Sequence, residues 1–470
     1  MSFGDSKPKH AQANFYERRA TPRPGQTVDE REGRVKTNSP GSAIRRLDLW
    51  LRKRINQGLE VRFDQWVQDL AAQGELPLKI VLWSGREWSL VPRENQKVCI
   101  RVLSRTAIPY LFSPSLSNLG EAYVEGLIEV DGELADIVSM AHQLAKRTLK
   151  PEGLLGRVAH RYTHAQRDDK AAIEHHYDVS NEFYRLWLDP EMVYSCAYFE
   201  NGTETLDDAQ LKKLDHILTK VQAQPNDRLL DIGCGWGALV IRAAQKFGCR
   251  CIGITLSERQ YAFAKERVHS LGLDDRVEIR LQDYRDVQGE FERITSVGMF
   301  EHVGVSNLPT YFGRLRGLLT DDGLALNHGI TSTDANDGQT AYGGGDFIAR
   351  YVFPGGELAH VGTVLSSMQR GGLEVFDVEG LRRHYARTLR HWAENFESQA
   401  EVIRAMVGDR KYRIWRIYLL GCSVAFEQDE ISLFQVLCGK AGRGTDLQIW
   451  SRRYMYAEHD SLPCPGLPQH

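Results

Sequence analysis

The sequence predicts an α/β protein: an open, mostly parallel sheet wound on both faces by helices and closed by a helical cap, preceded by a smaller N-terminal α+β domain. Three observations carry this. From about residue 205 onward, apolar runs of strand length alternate with helical patterns, the order of a doubly wound sheet. The first such run, Leu229-Leu-Asp-Ile232, passes directly into Gly233-Cys-Gly-Trp-Gly237 and then into the helical pattern Ala238–Phe247. Before residue 150 the strand-like runs are instead short and separated by glycine turns.

Residues 1–40 are polar, rich in Pro, Gly and Arg and without periodicity, and read as a disordered tail. Residues 41–150 are assigned to the first domain. It opens on Ala43–Gln57, where Ile44, Leu47, Leu49, Leu51 and Ile55 interleave with Arg45, Arg46, Arg52, Lys53 and Arg54. A basic amphipathic helix of this kind suits an anionic membrane surface, and equally a domain edge with its cations in water. Strands are expected at Leu78–Trp83 and Val98–Val102, with a further apolar segment at Ile128–Val130.

A connector around 146–157 leads to the second domain, 151–470. Helix Leu206–Val221 precedes a strand at Arg228–Ile232. Strands follow at Arg250–Thr255, Val277–Leu281, Ile294–Gly298 and Leu324–Ile330, with helices Glu258–Leu271 and Asn307–Leu319 between them. After about residue 340 come the glycine-dense Tyr342–Gly345 and Phe353–Gly356 and then long helical patterns, expected to cap the sheet.

Composition narrows the class. The chain has 470 residues, 42% hydrophobic, enough for a large core and two domains. Its net charge of −3 gives no field that would attract nucleic acid. Charge is uneven, however, with 13 Lys/Arg against 7 Asp/Glu in residues 1–60. The eight cysteines contain no C-x-x-C pair, which argues against a zinc site and for unpaired thiols in a reducing compartment. The N-terminus lacks an apolar signal region. The longest apolar segment, Ile414–Phe426, carries Arg416 and reads as a core helix. A cytoplasmic protein is expected.

The glycine loop is the most informative motif. A chain reverses this tightly only where side chains are absent, and N–H groups at the start of the new helix then face a bound ligand. A tight turn with no ligand is the plain alternative. Gly233, Gly235 and Ala238 also satisfy the loose dinucleotide pattern, but a nicotinamide site wants an acid at the tip of the second strand. Here that strand ends in Thr255-Leu-Ser257, and the acid is Asp231, just before the first glycine. This arrangement resembles the cofactor loop of S-adenosylmethionine-dependent methyltransferases.

Ligands of open α/β sheets bind at the carboxyl ends of the strands. Those ends carry Asp231 and the glycines, then Thr255, Leu256 and Gln260, then Gln282 and Asp283. The fourth strand is followed by Glu301-His302 and the fifth contains Asn327-His328-Gly-Ile330. Alone, Glu301 could be a helix cap and His328 a core histidine; together at this rim they suggest catalysis. Upstream, Tyr194-Ser195-Cys196 offers hydroxyl, thiol and backbone groups suited to a lid over a cofactor.

Seven segments in order now support a resemblance: His176-Tyr-Asp, Tyr194-Ser-Cys-Ala-Tyr-Phe199, Leu230–Gly237, Gly253-Ile-Thr-Leu-Ser257, Gln282-Asp-Tyr-Arg-Asp286, Ser296–Gly304 and Tyr351-Val-Phe-Pro-Gly-Gly356. Across about 175–440 the chain resembles the cyclopropane-fatty-acid-synthase family and the related mycolic acid methyltransferases. Less sharply, the N-terminal region resembles the lipid-engaging domain of the phospholipid-acting members. The resemblance implies a Rossmann-like class I S-adenosylmethionine methyltransferase sheet. It implies transfer of a methylene from S-adenosylmethionine to a cis double bond of an acyl chain in membrane phospholipid, with bound bicarbonate as base. By motif, the bicarbonate cradle would be Cys196, Glu301, His328, the backbone of Ile330, and Tyr385. Cofactor contacts would be Tyr194, Ser195, Asp231, Gly233, Gly235, Gly237, Thr255, Leu256, Gln260, Gln282 and Asp283, with no metal. The expected partners are unsaturated phospholipid chains and an anionic membrane surface, with the enzyme peripheral at the inner membrane face; a homodimer is left open.

The residue types fit that chemistry. An alkene is a feeble nucleophile, so the sulfonium methyl must be held in line and away from water. Methyl transfer leaves a cation that aromatic faces such as Phe300 and Tyr351 can stabilise, and ring closure then needs a base. One departure stands out: after Phe353-Pro-Gly-Gly the family commonly continues toward Leu-Pro-Ser, whereas this chain reads Glu357-Leu-Ala-His360. The same cation could instead yield a methyl- or methylene-branched chain. A non-catalytic lipid-binding protein is the third class, and the intact Glu301, His328, Tyr385 and glycine loop argue against it.

Overall fold

The computed structural model describes residues 58–148, 179–335, 344–353, 356–443 and 450–456. The tail 1–40, the basic segment Ala43–Gln57, the His176-Tyr-Asp motif and Pro354-Gly355 lie outside the described residues. The chain divides into two compact units, Met1–Asp64 and Gln65–His470. In the first, residues 58–64 are helical. The second contains two sheets.

The smaller sheet comprises β1 (Leu78–Val81), β2 (Glu87–Ser89), β3 (Val98–Val102) and β4 (Ile128–Gly132), in the order β2-β1-β3-β4. β1 and β3 are parallel and the other pairs antiparallel. Alternation places Leu78, Ile80, Val98, Ile100 and Val102 inside. Helix Leu116–Val124 lies between β3 and β4, and helix Leu134–Thr148 follows β4. The first is capped by Ser115, which accepts the N–H of Asn118.

The larger sheet has seven strands: β5 (Arg228–Ile232), β6 (Arg250–Thr255), β7 (Val277–Leu281), β8 (Phe291–Val297), β9 (Leu319–Ser332), β10 (Leu373–Gly380) and β11 (Ile431–Lys440). Their order is β10-β11-β9-β8-β5-β6-β7. The five strands β9-β8-β5-β6-β7 are mutually parallel, and β11 is antiparallel to both neighbours. Strand order reverses at β5, so the ends of β5 and β8 face a crevice where ligands of such sheets bind. The α/β class, the parallel core and the strands at 228–232, 250–255 and 277–281 agree with the sequence reading.

The C-terminal region does more than cap the sheet, which is a correction. It supplies β10 and β11 as well as the helices Arg382–Ser398 and Ala400–Glu427. The run Ile431-Ser-Leu-Phe-Gln-Val-Leu-Cys438 lies between two strands and is buried almost throughout, so it lacks the alternation that marks a half-exposed strand. The apolar segment Ile414–Phe426 does form a core helix, and Gly408 (φ 80°, ψ 160°) kinks the chain ahead of it. Arg416 is held by Glu397 at 2.8 Å and by the hydroxyl of Tyr123 at 2.9 Å, while Arg413 donates to the carbonyl of Tyr123 and to Glu129. These arginines fasten the C-terminal helix to the smaller sheet's domain. No described helix is long and apolar enough to cross a membrane.

Candidate active site

The glycine loop follows β5 as expected. Gly233, Gly235 and Gly237 all have positive φ, and Gly237 begins the helix Ala238–Phe247. A side chain at Gly235 would meet no protein atom within 4 Å, so the loop leaves open space there. The N–H groups of Gly233 and Cys234 are not free: both donate to the carbonyl of Ile254, stitching the loop to β6. Asp231 lies beneath the loop, buried, and accepts the hydroxyl of Thr295 at 2.7 Å. Burial pushes its carboxyl up to about 6.

The next strand ends complete a continuous rim. Thr255 bonds Gln260 at 2.9 Å and accepts the N–H of Ser257, whose own hydroxyl caps the helix Glu258–Ser270. Leu256 follows Thr255 at the end of β6. The N–H of Gln282 donates to the carbonyl of Thr255, tying β7 to β6. Asp283 is clamped by Arg285, whose Nε lies 2.9 Å from Oδ1. These residues stand at the carboxyl ends of the adjacent strands β5, β6 and β7, the edge at which ligands of such sheets bind.

A second group surrounds a cavity of about 1530 Å³. Its walls include Cys196, Glu301, His328, Ile330 and Tyr385, from four separate parts of the chain, together with Tyr194 and Ser195. Glu301 sits in a short turn after β8 and is 7% exposed. One carboxylate oxygen accepts the N–H of Ile330 at 2.7 Å, and the other is buried with no partner. Burial pushes its carboxyl up to about 7. Glycine at 329 permits this contact, because a Cβ there would fall 1.9 Å from the ring of Phe300, the neighbour of Glu301.

His328 is 1% exposed on β9. Its Nδ1 contacts Gln435 at 3.1 Å and its Nε2 has no partner. Burial, with Lys213 and Lys220 nearby, pushes the imidazole well below its usual range, so the ring is neutral. The Tyr385 hydroxyl is pushed up by burial and keeps its proton. Cys196 is fully buried and donates to backbone carbonyls, an inert thiol. The Tyr194 hydroxyl lies 3.0 Å from that of Tyr418.

The departure Glu357-Leu-Ala-His360 is built into this site. The N–H of Glu357 donates to the carbonyl of Glu301, its carboxylate accepts the N–H of Val305 at 2.8 Å, and Leu358 lines the cavity. His360 caps the helix Val361–Arg370.

Sequence reasoning missed a set of buried polar residues. Lys213, 2% exposed, donates to the Ser195 hydroxyl at 2.9 Å. Burial pulls its ammonium down to about 8, and Asp189 and Asp231 oppose the shift. Lys220 and Gln435 are equally deep. A signal existed: Gln210, Lys213 and Lys220 share the inward stripe of helix Leu206–Lys220 with Leu206, Ala209 and Ile217. Among the described residues no group of side chains is arranged to hold a metal ion.

The fold and the cofactor loop define a class I S-adenosylmethionine-dependent methyltransferase. Residues 164–436 match the family described as mycolic acid cyclopropane synthetase, and the chain belongs to that family. Residues 65–152 match a family described only as a domain of unknown function. A Pseudomonas putida protein named "Probable fatty acid methyltransferase" is 44% identical over 385 residues, covering 81% of this chain and 96% of that protein. Cyclopropane mycolic acid synthase 2 of Mycobacterium bovis is 36% identical, covering 54% of this chain and 89% of its own. Among solved structures, the cyclopropane synthase MmaA2 of Mycobacterium tuberculosis superposes with a TM-score of 0.56 at 33% identity, covering 58% of this chain and 98% of that one. The mycolic acid cyclopropane synthase CmaA1, complexed with SAH and CTAB, superposes at 0.55 with the same identity and coverage.

Proposed function

We propose that the enzyme transfers a methylene group from S-adenosylmethionine to the cis double bond of an unsaturated acyl chain in membrane phospholipid, forming a cyclopropane ring, with bound bicarbonate as base. The cavity is the observation that carries this reading. Its walls combine Glu301, His328 and Tyr385 with apolar side chains of the smaller domain, among them Ile100, Leu119, Val130 and Met140. A long apolar chain fits a space lined in this way, with its double bond against the polar residues.

Two groups have to be held for this reaction. S-adenosylmethionine supplies an electrophilic methyl, and the rim along Asp231, Gly233, Gly235, Gly237, Thr255, Leu256, Gln260, Gln282 and Asp283 would hold it, with Tyr194 and Ser195 covering it. Bicarbonate supplies a small base. The unpartnered oxygen of Glu301 and the unpartnered Nε2 of His328 are buried polar atoms of one cavity, and such atoms call for a polar occupant. Tyr385 adds a hydroxyl donor and Ile330 a fixed backbone at the Glu301 end.

The chain's own residues then do three things. Glu301, oriented by the N–H of Ile330, and neutral His328 would hold the base. The apolar walls exclude water that would quench a cation. The rings of Tyr194, Tyr385 and Phe353 line the cavity, in place of the Phe300 and Tyr351 expected from the sequence, and aromatic rings there can stabilise positive charge. We assign residues 41–150 as the lipid-engaging domain and 151–470 as the catalytic domain, with docking on an anionic membrane surface from the cytoplasmic side.

The fatty acid methyltransferase name of the Pseudomonas putida relative favours a second reading, a methyl- or methylene-branched product from the same cation. Mass spectrometry of lipids from a host expressing the chain tests both. A gain of one CH₂ per double bond with ring fragmentation is expected. A branched fragment supports the second reading, and unaltered lipids contradict both.

A further inference from the structure

Gln435 is the cross-strand partner of His328 in the β11–β9 pair, so the two side chains lie on the same face of the sheet. Gln435 is fully buried, with Nε2 3.1 Å from His328 Nδ1. On its other side the ammonium of Lys220, 1% exposed, donates to Gln435 Oε1 at 2.9 Å.

The direction of this chain follows from donor chemistry alone. An ammonium has protons and no lone pair, so it can face only the oxygen end of the amide. The amide NH₂ must then face the imidazole, and NH₂ also only donates. His328 Nδ1 is therefore the acceptor, and the ring proton sits on Nε2, the atom left without a partner in the cavity. Lys220 cannot easily move away. It is paired with Glu379, which also bonds His216 Nε2 at 2.8 Å, and Asp377 lies 4.0 Å from it.

We propose that Lys220 and Gln435 are positioning residues that lock His328 in the Nε2–H tautomer, so that it presents a hydrogen-bond donor to an anion in the cavity. The inference rests on the proposed reading of this cavity as the reaction centre. The opposite tautomer would turn a lone pair toward the anion and repel it. It would also require the amide to flip its NH₂ against the Lys220 ammonium.

Nitrogen NMR on full-length protein labelled at histidine tests this, with the His328 signal identified by its loss in His328→Gln. The wild type is expected to show a pyridine-type Nδ1 and a pyrrole-type Nε2. In Gln435→Glu the carboxylate still pairs with Lys220 but accepts from Nδ1–H, so the two signal types should exchange. Turnover should then fall on the order of 10²-fold or more with S-adenosylmethionine affinity unchanged, since a wrong catalytic histidine tautomer costs about 10⁴-fold in a serine protease triad. Lys220→Met frees the amide to flip, and a mixture of both tautomers is expected. A pyrrole-type Nδ1 in the wild type, or unchanged signals in Gln435→Glu, would overturn the lock. Exchanged signals with full turnover would overturn the donor role of His328 and, with it, the reading of the cavity.

Discussion

Glu301 and Ile330 are joined by a 2.7 Å hydrogen bond from the backbone N–H of one to a single carboxylate oxygen of the other, leaving the second oxygen buried and unpartnered. The bond fixes the direction of the carboxyl group by tying the turn after β8 to the neighbouring strand β9. It also leaves one buried acceptor whose needs the protein does not meet, an arrangement that costs stability unless a ligand or a proton answers it.

The first prediction concerns that cost. Burial raises the Glu301 carboxyl from 4.5 to about 7, so between those values the folded state holds a proton that the unfolded state has lost. Stability therefore falls as pH rises through this window. Glu301→Gln lacks the titration. It should be more stable than wild type above about pH 7, by up to roughly 3 kcal/mol at 1.36 kcal/mol per pKa unit, and the gap should close below about pH 4.5. Thermal melts across that range check it; a gap independent of pH would contradict the burial argument.

The same substitution should leave S-adenosylmethionine affinity nearly intact and cut turnover on the order of 10²–10⁴-fold, the usual loss when a base or its orienting partner is removed. Depleting carbonate should slow the wild type, and added bicarbonate should restore it. Full-rate turnover in rigorously carbonate-free buffer would remove bicarbonate from the mechanism.

Two glycines should respond in opposite ways. At Gly235 (φ +55°) a Cβ meets only open space, so Gly235→Ala should fold at a cost of about 1–2 kcal/mol and lose cofactor binding, because the methyl fills that space. At Gly329 the Cβ would collide with Phe300. Gly329→Ala should destabilise by about 1–3 kcal/mol or more through overpacking. Calorimetry and melting curves separate the two; cofactor affinity unchanged in Gly235→Ala would displace the proposed binding mode.

Membrane docking is tested on the basic segment 43–57. Near an anionic surface each Lys or Arg contributes about 1 kcal/mol, weakened by salt. Replacing Arg45, Arg46, Arg52 and Arg54 by Gln should reduce sedimentation with anionic vesicles and leave S-adenosylmethionine binding unchanged. Equal sedimentation at low salt would move the docking surface elsewhere on the chain.

Much of this was legible in the sequence, for identifiable reasons. The parallel strands announce themselves because apolar runs of strand length alternate with turns and helical patterns, as at Thr255-Leu-Ser257, whose serine caps the next helix. The glycine loop is legible because its steric demand is local. Glu301, His328 and Tyr385 were visible only as residue types at strand ends or in a motif, and the fold had to bring them to one cavity. β11 was hidden because a strand buried on both faces lacks alternation. Lys220 and Gln435 were hidden for another reason. They are 215 positions apart, and their meeting depends on β11 pairing with β9, which no local pattern encodes.

The central claim is ring formation by methylene transfer, and a deuterium count tests it most directly. Purified enzyme would be incubated with S-adenosylmethionine carrying a fully deuterated methyl and with vesicles of a cis-monounsaturated phospholipid, and the product analysed by mass spectrometry. Closing a cyclopropane ring removes one of the three methyl deuterons, so the account predicts a product chain that keeps two. A chain that keeps all three, a chain that keeps two but fragments as a methylene branch rather than a ring, or lipid that carries no label, would contradict it.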